Sequence, residues 1–89
     1  MEKITLAPGE WTRVHSISAF QVAGQHAVHV ALGTVSESIV TAPATDAPYF
    51  KTQDYDPNII RLEDFGITSL SAVYLRPHGS EPVDVVVLA

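Results

Sequence analysis

The residue types best suited to chemistry are concentrated in one acidic stretch, QDYDPNIIRLEDFG, which occupies residues 53–66. Asp54, Asp56 and Asn58 have the spacing of the first three ligands of an EF-hand loop, whose oxygens bind calcium. The match ends there, because Ile59 occupies the position of the sharp-turn glycine and the bidentate glutamate is missing. We therefore interpret the stretch as a turn with an acidic rim rather than as a calcium site.

Two local structures are compatible with this stretch. A strand over residues 58–62 followed by a turn at residues 63–66 suits its two β-branched isoleucines, and we favour it. The alternative is one short helix, with Asp56 as its N-cap, Pro57 at its first position and Gly66 beyond its end.

No arrangement of acid, base or nucleophile stands out in the chain. Glu63 and Asp64 are adjacent, so on a strand they would face opposite ways. His26 and His29 are three residues apart, so a strand also puts them on opposite faces, and a shared metal would need His15 from another strand. No serine lies in a G-x-S-x-G context, and no Gly-rich phosphate loop is present. We expect no catalytic residue, no metal and no cofactor, and we predict that the protein is not an enzyme.

Length and composition indicate one small domain, over residues 1–89. There are no cysteines, so no disulfide or Cys-based zinc site is available. The formal net charge is -5 and the five Lys and Arg residues are scattered, which argues against a nucleic-acid partner. No apolar run approaches the ~20 residues of a membrane-spanning helix, and the opening MEKITLAPGEW does not have the pattern of a signal peptide. We expect synthesis in a cytoplasm and no membrane partner.

The balance of apolar and charged residues predicts a second subunit. Hydrophobic residues make up 46% of the chain and charged residues only 17%, below the usual charged share of about 25%. A domain this small cannot bury so many apolar side chains by itself. We therefore expect a homo-oligomer, for example a trimer.

Pro and Gly divide the chain into short segments whose apolar residues recur at period two. Residues 18–33 have the pattern of a β-hairpin, residues 35–40 that of another strand, and residues 41–48 that of a loop. The remaining strands are predicted at residues 4–6, 11–15, 49–51, 70–75 and 83–88, with turns at residues 8–9 and 77–80. The pattern predicts an all-β fold, a small antiparallel β-sandwich or jelly-roll-like barrel of about seven or eight short strands.

A partner interface is predicted at the tryptophan and the last strand. Trp11 follows a Pro-Gly turn, and we favour a place in the core, with an interface anchor as the alternative. The last strand is apolar on both faces, with Val83 and Val85 on one and Val86 and Leu88 on the other. Such a strand is either central in a sheet or covered by another subunit.

Four segments together resemble a known class of proteins. These are ITLxxGxWT at residues 4–12, FxV at 20–22, VxV at 28–30 and VYLRP at 73–77, the last followed by a Gly-containing turn and a Val-rich strand. In this order they resemble small β-sandwich, jelly-roll-like virion structural proteins of tailed bacteriophages. That class includes capsid decoration (cement) proteins and head or tail accessory proteins.

The resemblance implies a non-enzymatic virion protein that binds and stabilises the capsid shell. Its implied partners are the major capsid protein or other virion proteins, and its implied location is the virion. The alternative is a tail, collar or baseplate accessory module that binds a receptor or carbohydrate, with Trp11, Tyr49, Tyr55 and Tyr74 as a sugar-stacking platform.

Overall fold

The computed structural model describes residues 2–14, 17–24, 26–52, 59–67 and 72–88. Within these ranges the chain forms short strands and one 3₁₀ turn, at Leu62–Phe65. The strands are β1 (Glu2–Leu6), β2 (Thr12–Val14), β3 (Ala19–Val22), β4 (Val28–Leu32), β5 (Thr34–Ser36), β6 (Ile39–Thr41), β7 (Phe50–Lys51), β8 (Ile60–Arg61), β9 (Val73–Pro77) and β10 (Val83–Leu88).

Eight of these strands form two antiparallel four-stranded sheets. Sheet A has the order β1-β10-β3-β8 and sheet B the order β2-β9-β4-β7, while β5 and β6 pair only with each other among the described strands. Valines alternate along β10, where Val83, Val85 and Val87 are buried and the residues between them are half-buried. The prediction of an all-β fold is confirmed, and the arrangement fits a small β-sandwich.

The core lies between the two sheets. Its largest fully buried side chains come from both sheets and from the 3₁₀ turn, which shows that one continuous apolar layer joins them. They are Leu6, Val14, Phe20, Val28, Val30, Leu62, Val73, Leu75 and Val85.

The predicted hairpin over residues 18–33 is wrong, because its two strands lie in different sheets. β3 pairs with β10 and β8, whereas β4 pairs with β9 and β7. Phe20 on β3 and Val30 on β4 are both fully buried, and they face the same core from opposite sides. The connection between β3 and β4 therefore crosses from sheet A to sheet B. On the sheet A side the N–H of Ala23 donates to the carbonyl of Asp84, and on the sheet B side the N–H of His78 donates to the carbonyl of Ala27.

Residues 35–40 form a hairpin rather than one strand. β5 and β6 pair antiparallel, and Glu37 and Ser38 form a two-residue turn with φ angles of 50° and 70°. Positive φ at both central positions usually calls for Asn-Gly. Each non-glycine residue in this conformation costs of order 1–3 kcal/mol.

The strand in the acidic stretch is shorter than predicted. β8 has only two residues, and it leads directly into the 3₁₀ turn, which ends at Gly66 with a left-handed φ of 74°. Residues 53–58, which include Asp54, Asp56 and Asn58, lie outside the described residues.

Gly33 fixes the route from sheet B into the hairpin. A Cβ at this position would overlap the backbone oxygen of Thr41 and lie 2.6 Å from Cε1 of Tyr74. Only glycine allows β6 and the Tyr74 ring to approach this closely. The chain can therefore pass from Leu32, at the end of β4, directly into the hairpin.

Candidate binding surface

A row of basic side chains crosses the outer face of sheet B. Arg76 on β9 lies opposite His29 on β4, and His29 lies opposite Lys51 on β7. Residues opposite each other in a sheet point to the same face, so all three side chains lie on the side away from the core. His29 and Arg76 are nevertheless only 6% and 9% exposed, so something covers them.

The hydrogen bonds of His29 fix the position of its proton. Arg76 brings Nε and Nη2 to within 3.2 and 3.0 Å of His29 Nδ1. A guanidinium can only donate, so Nδ1 is the acceptor and the neutral ring carries its hydrogen on Nε2. His29 Nε2 lies 2.9 Å from Nδ1 of His78 and therefore donates to it. The result is a chain of hydrogen bonds that runs from Arg76 through His29 to His78.

Aromatic rings enclose this chain of hydrogen bonds. The Tyr49 ring stacks on His29 with centroids 3.7 Å apart and planes 15° apart. The guanidinium carbon of Arg76 lies 4.1 Å from the centroid of Trp11 and 5.7 Å from that of Tyr49. A desolvated cation–π contact contributes about 2 kcal/mol. The rings thus offset part of the cost of burying a charge that has no carboxylate partner among the described residues.

These contacts hold the loop of residues 42–49 against sheet B. Arg76 Nη1 donates to the carbonyl of Thr45 at 2.9 Å, and Trp11 Nε1 donates to the carbonyl of Ala44 at 3.2 Å. The stacked ring of Tyr49 closes the far end of the loop. We refer to Trp11, His29, Tyr49 and Arg76 as the clasp.

Burial, followed by the charges of Arg76, His78 and Lys51, lowers the pKa of His29 from 6.5 to about 4. Desolvation disfavours the charged imidazolium, and a second positive charge beside the guanidinium would be repelled. His29 is therefore neutral at pH 7, as its role as acceptor requires.

The clasp side chains hold one another and the neighbouring loop in place. Both ring nitrogens of His29 are engaged by neighbouring side chains, so the ring presents no free nitrogen to a substrate. In the part of the chain that the structure describes, no group of three or more His, Cys, Asp or Glu side chains is placed to hold a metal ion.

Large apolar side chains are exposed in one part of the chain. Among the described residues, those at least 44% exposed all fall between positions 32 and 59, and none lies on β1, β2, β3, β9 or β10. They are Leu32, Val35, Ile39, Tyr49, Phe50 and Ile59. We call these six residues the apolar segment.

A groove of about 320 Å³ lies within this surface. Buried Val30 and Ile67 are at its base, and the half-exposed Leu32, Tyr49 and Phe50 line it towards solvent. The clasp fixes Tyr49, and stacking of Phe50 on Phe65 at 5.2 Å supports its neighbour. The groove is thus bounded by side chains that are already held in place.

The predicted interface residues divide into three groups. Val83 and Val85 are 2% and 0% exposed and belong to the core, so they present no surface to a partner. Val86 and Leu88 are half-buried on the outer face of sheet A, where an interface stays a prediction. Trp11 is outside the core cluster, contrary to the interpretation we favoured, because its ring covers Arg76 on the outer face of sheet B.

Within the described residues, one ring of the predicted sugar-stacking platform is well exposed. Tyr74 is buried, Tyr55 lies outside the described residues, and Arg76 occupies one face of Trp11. Tyr49 alone among the four is more than a third exposed within the described ranges.

Arg76, His78 and the exposed hairpin were not predicted from the sequence. Arg76 and His29 are 47 positions apart, and only the pairing of β4 with β9 brings them together. The available signal was the run of strand residues on both sides of Arg76. Such a run predicts that the Arg76 side chain points outward, but it does not identify the side chain beside it.

The chain matches no family model, and neither the curated proteins nor the solved structures compared with it include a match. Within the described residues, no helix has the length and apolar character to cross a membrane.

Proposed function

We propose that the protein is a non-enzymatic structural subunit of a tailed-bacteriophage virion, which binds the outside of the capsid shell as a decoration protein. The observation that carries the proposal is the concentration of exposed apolar side chains in the apolar segment. The core of the domain is already filled by other residues, so folding of the single chain leaves these side chains at least 44% exposed, and three of them line one groove. Exposed apolar patches of this kind mark surfaces that bind other proteins.

The rigidity of this surface supports a structural role. The clasp fixes Tyr49, and β7 is bonded to β4 through Thr52, whose hydroxyl accepts from the N–H of Val28 at 3.0 Å. A surface that is already ordered loses little conformational entropy on binding. Such a subunit stabilises a shell by mass action, because it binds the assembled shell and not the dissociated subunits.

The tail, collar or baseplate module remains the second candidate, and the exposed ring of Tyr49 favours it. One exposed stacking ring among the described residues is a small basis for carbohydrate recognition, whereas the apolar segment suits a protein partner. The decoration role is therefore our first choice.

The proposal is tested on purified particles of the virus that encodes this chain. Quantitative mass spectrometry should find the protein in the hundreds of copies that the resemblance implies for decoration, whereas a handful of copies would indicate a tail module. Particles that contain no copies would contradict both roles.

The binding surface is tested with matched variants added to particles that lack the protein. Ile59→Ser, in the apolar segment, should reduce co-sedimentation, and Val86→Ser, on the outer face of sheet A, should not. The reverse result would move the interface to β10, where the sequence first placed it.

A further inference from the structure

The described part of the chain offers little that would stabilise the hairpin of β5 and β6. It pairs with neither four-stranded sheet in the described structure, and all its strand residues are exposed except Val40, which is half-buried. A two-stranded hairpin is marginally stable in water on its own. Its turn also holds Glu37 and Ser38 at positive φ. A hairpin with these features needs contact with another surface to be stable.

The hairpin carries apolar side chains on both faces. Val35 lies opposite Val40 in the pairing, and Ile39 lies opposite Ser36. Because neighbouring residues on a strand alternate in direction, Val35 and Ile39 point to opposite faces. They are 50% and 67% exposed, and Ile39 is the most exposed of the large apolar side chains described.

The same chain offers a groove of complementary chemistry. Among the described residues, the groove of about 320 Å³ is lined only by apolar and aromatic side chains, and none of them belongs to the hairpin. Leu32, on its rim, is separated from β5 by Gly33 alone. Because none of these hairpin residues lines the groove of its own chain, that groove is open to a hairpin from a second copy.

Charge favours the same encounter between two copies. The hairpin tip carries the exposed carboxylate of Glu37, and exposed Lys51 follows the groove residue Phe50 along β7. The four strands of sheet B contain Arg13, Lys51 and Arg76 and no Asp or Glu. In a chain of net charge -5, two copies repel in most orientations. An acidic tip that approaches exposed Lys51 is one orientation in which they attract.

We propose that the β5–β6 hairpin of one copy docks into the groove of a second copy, with Ile39 in contact with Leu32, Tyr49 and Phe50. The two patches are different, so the contact forms either a reciprocal pair or a closed ring, of which a trimer is one case. This inference rests on the proposed function in one respect. It assigns part of the apolar segment to self-association and leaves the rest for the shell.

A cross-linking experiment tests the contact directly, because the chain has no cysteine of its own. Single-cysteine variants Ile39→Cys and Leu32→Cys are mixed in equal amounts and oxidised mildly. A disulfide requires Cα atoms within about 7 Å, so a linked dimer should form from this mixture. Ile59→Cys replaces Leu32→Cys in the control, since Ile59 is equally exposed but lies outside the groove and the hairpin. Linkage at the same level in both mixtures would overturn the proposal.

Light scattering on charged variants provides the second test. The wild type should have a mass that is a multiple of 9.6 kDa, and Ile39→Asp and Leu32→Asp should each fall to the mass of one chain. An equimolar mixture of the two should regain a two-chain species, because each variant keeps the patch that the other lacks. Circular dichroism first establishes that each variant is folded.

Three outcomes overturn the contact: a monomeric wild type at every concentration, an Ile39→Asp variant that associates like Ile59→Asp, or a mixture that stays monomeric. Particle binding is measured separately on the same variants. If the protein does not self-associate but still binds to particles, only this inference is overturned. If particles contain none of the protein, only the virion role is overturned.

Discussion

Acidification should destabilise the protein through His29. The folded state holds the pKa of His29 at about 4, against 6.5 for the unconstrained side chain. Between these values the unfolded chain binds the proton and the folded chain does not, so the free energy of unfolding rises with pH in this window. The stability is fully present above pH 6.5 and is lost progressively as the pH falls towards 4.

The size of the effect follows from the two pKa values. At about pH 5 the unfolded side chain is almost wholly protonated and the folded one almost wholly neutral, so the loss relative to about pH 7.5 is about 2 kcal/mol. Such a loss is a large fraction of the stability of a small domain. Most carboxylates are still ionised at this pH, which limits their contribution.

Urea denaturation at the two pH values measures this loss. The fluorescence of Trp11, the single tryptophan, reports on the clasp, and circular dichroism reports on the sheets. His29→Asn is the control, because its amide oxygen can still accept from Arg76 but does not titrate. The variant should lose clearly less stability on acidification than the wild type. Equal losses in the two proteins would refute the assignment of a neutral, desolvated His29.

Three further predictions concern the backbone. Gly33→Ala should cost at least about 2 kcal/mol of stability in urea denaturation, because its Cβ would meet the ring of Tyr74. The control Gly79→Ala, whose Cβ would have open space around it, should stay within about 0.5 kcal/mol of the wild type. Similar values for the two variants would disprove the close approach. Ser38→Gly should raise the melting temperature, since it relieves a φ of 70° worth about 1 kcal/mol, and an unchanged or lower value would argue against the strained turn. Thr52→Val should cost about 1–3 kcal/mol, because it leaves the buried N–H at the start of β4 without its acceptor, and an unaltered stability would mean that this N–H has another partner.

Patterns within single strands were sufficient to predict much of the fold. The alternation from Val83 to Leu88 predicted both the bounds of β10 and the faces of its residues, because a period of two admits no other regular structure. The Pro8-Gly9 turn ended β1 as expected, with a left-handed φ at Gly9. These features depend on residues that are adjacent in the sequence.

Features that depend on pairing were beyond the sequence. Gly24 has a positive φ, which suits a hairpin turn and an arch between sheets equally well, so β3 and β4 were assigned to one hairpin. The turn at Glu37 and Ser38 has none of the usual glycine or asparagine and was read as continuous strand. Arg76 and His29 each had a predictable face, but their contact required the register of β4 against β9.

The division of consecutive strands between two sheets has a consequence for folding kinetics. Strand pairs in sheet A join residues as distant as Glu2 and Val87, and of all the described pairings only that of β5 with β6 joins neighbouring strands along the chain. Topologies dominated by non-local pairing fold in about milliseconds to seconds, because the entropy of closing long loops is lost before the contacts form. The hairpin can form within about 1–10 μs, but it pairs with neither sheet. β10 lies between β1 and β3, so sheet A cannot assemble on the ribosome until β10 has been synthesised.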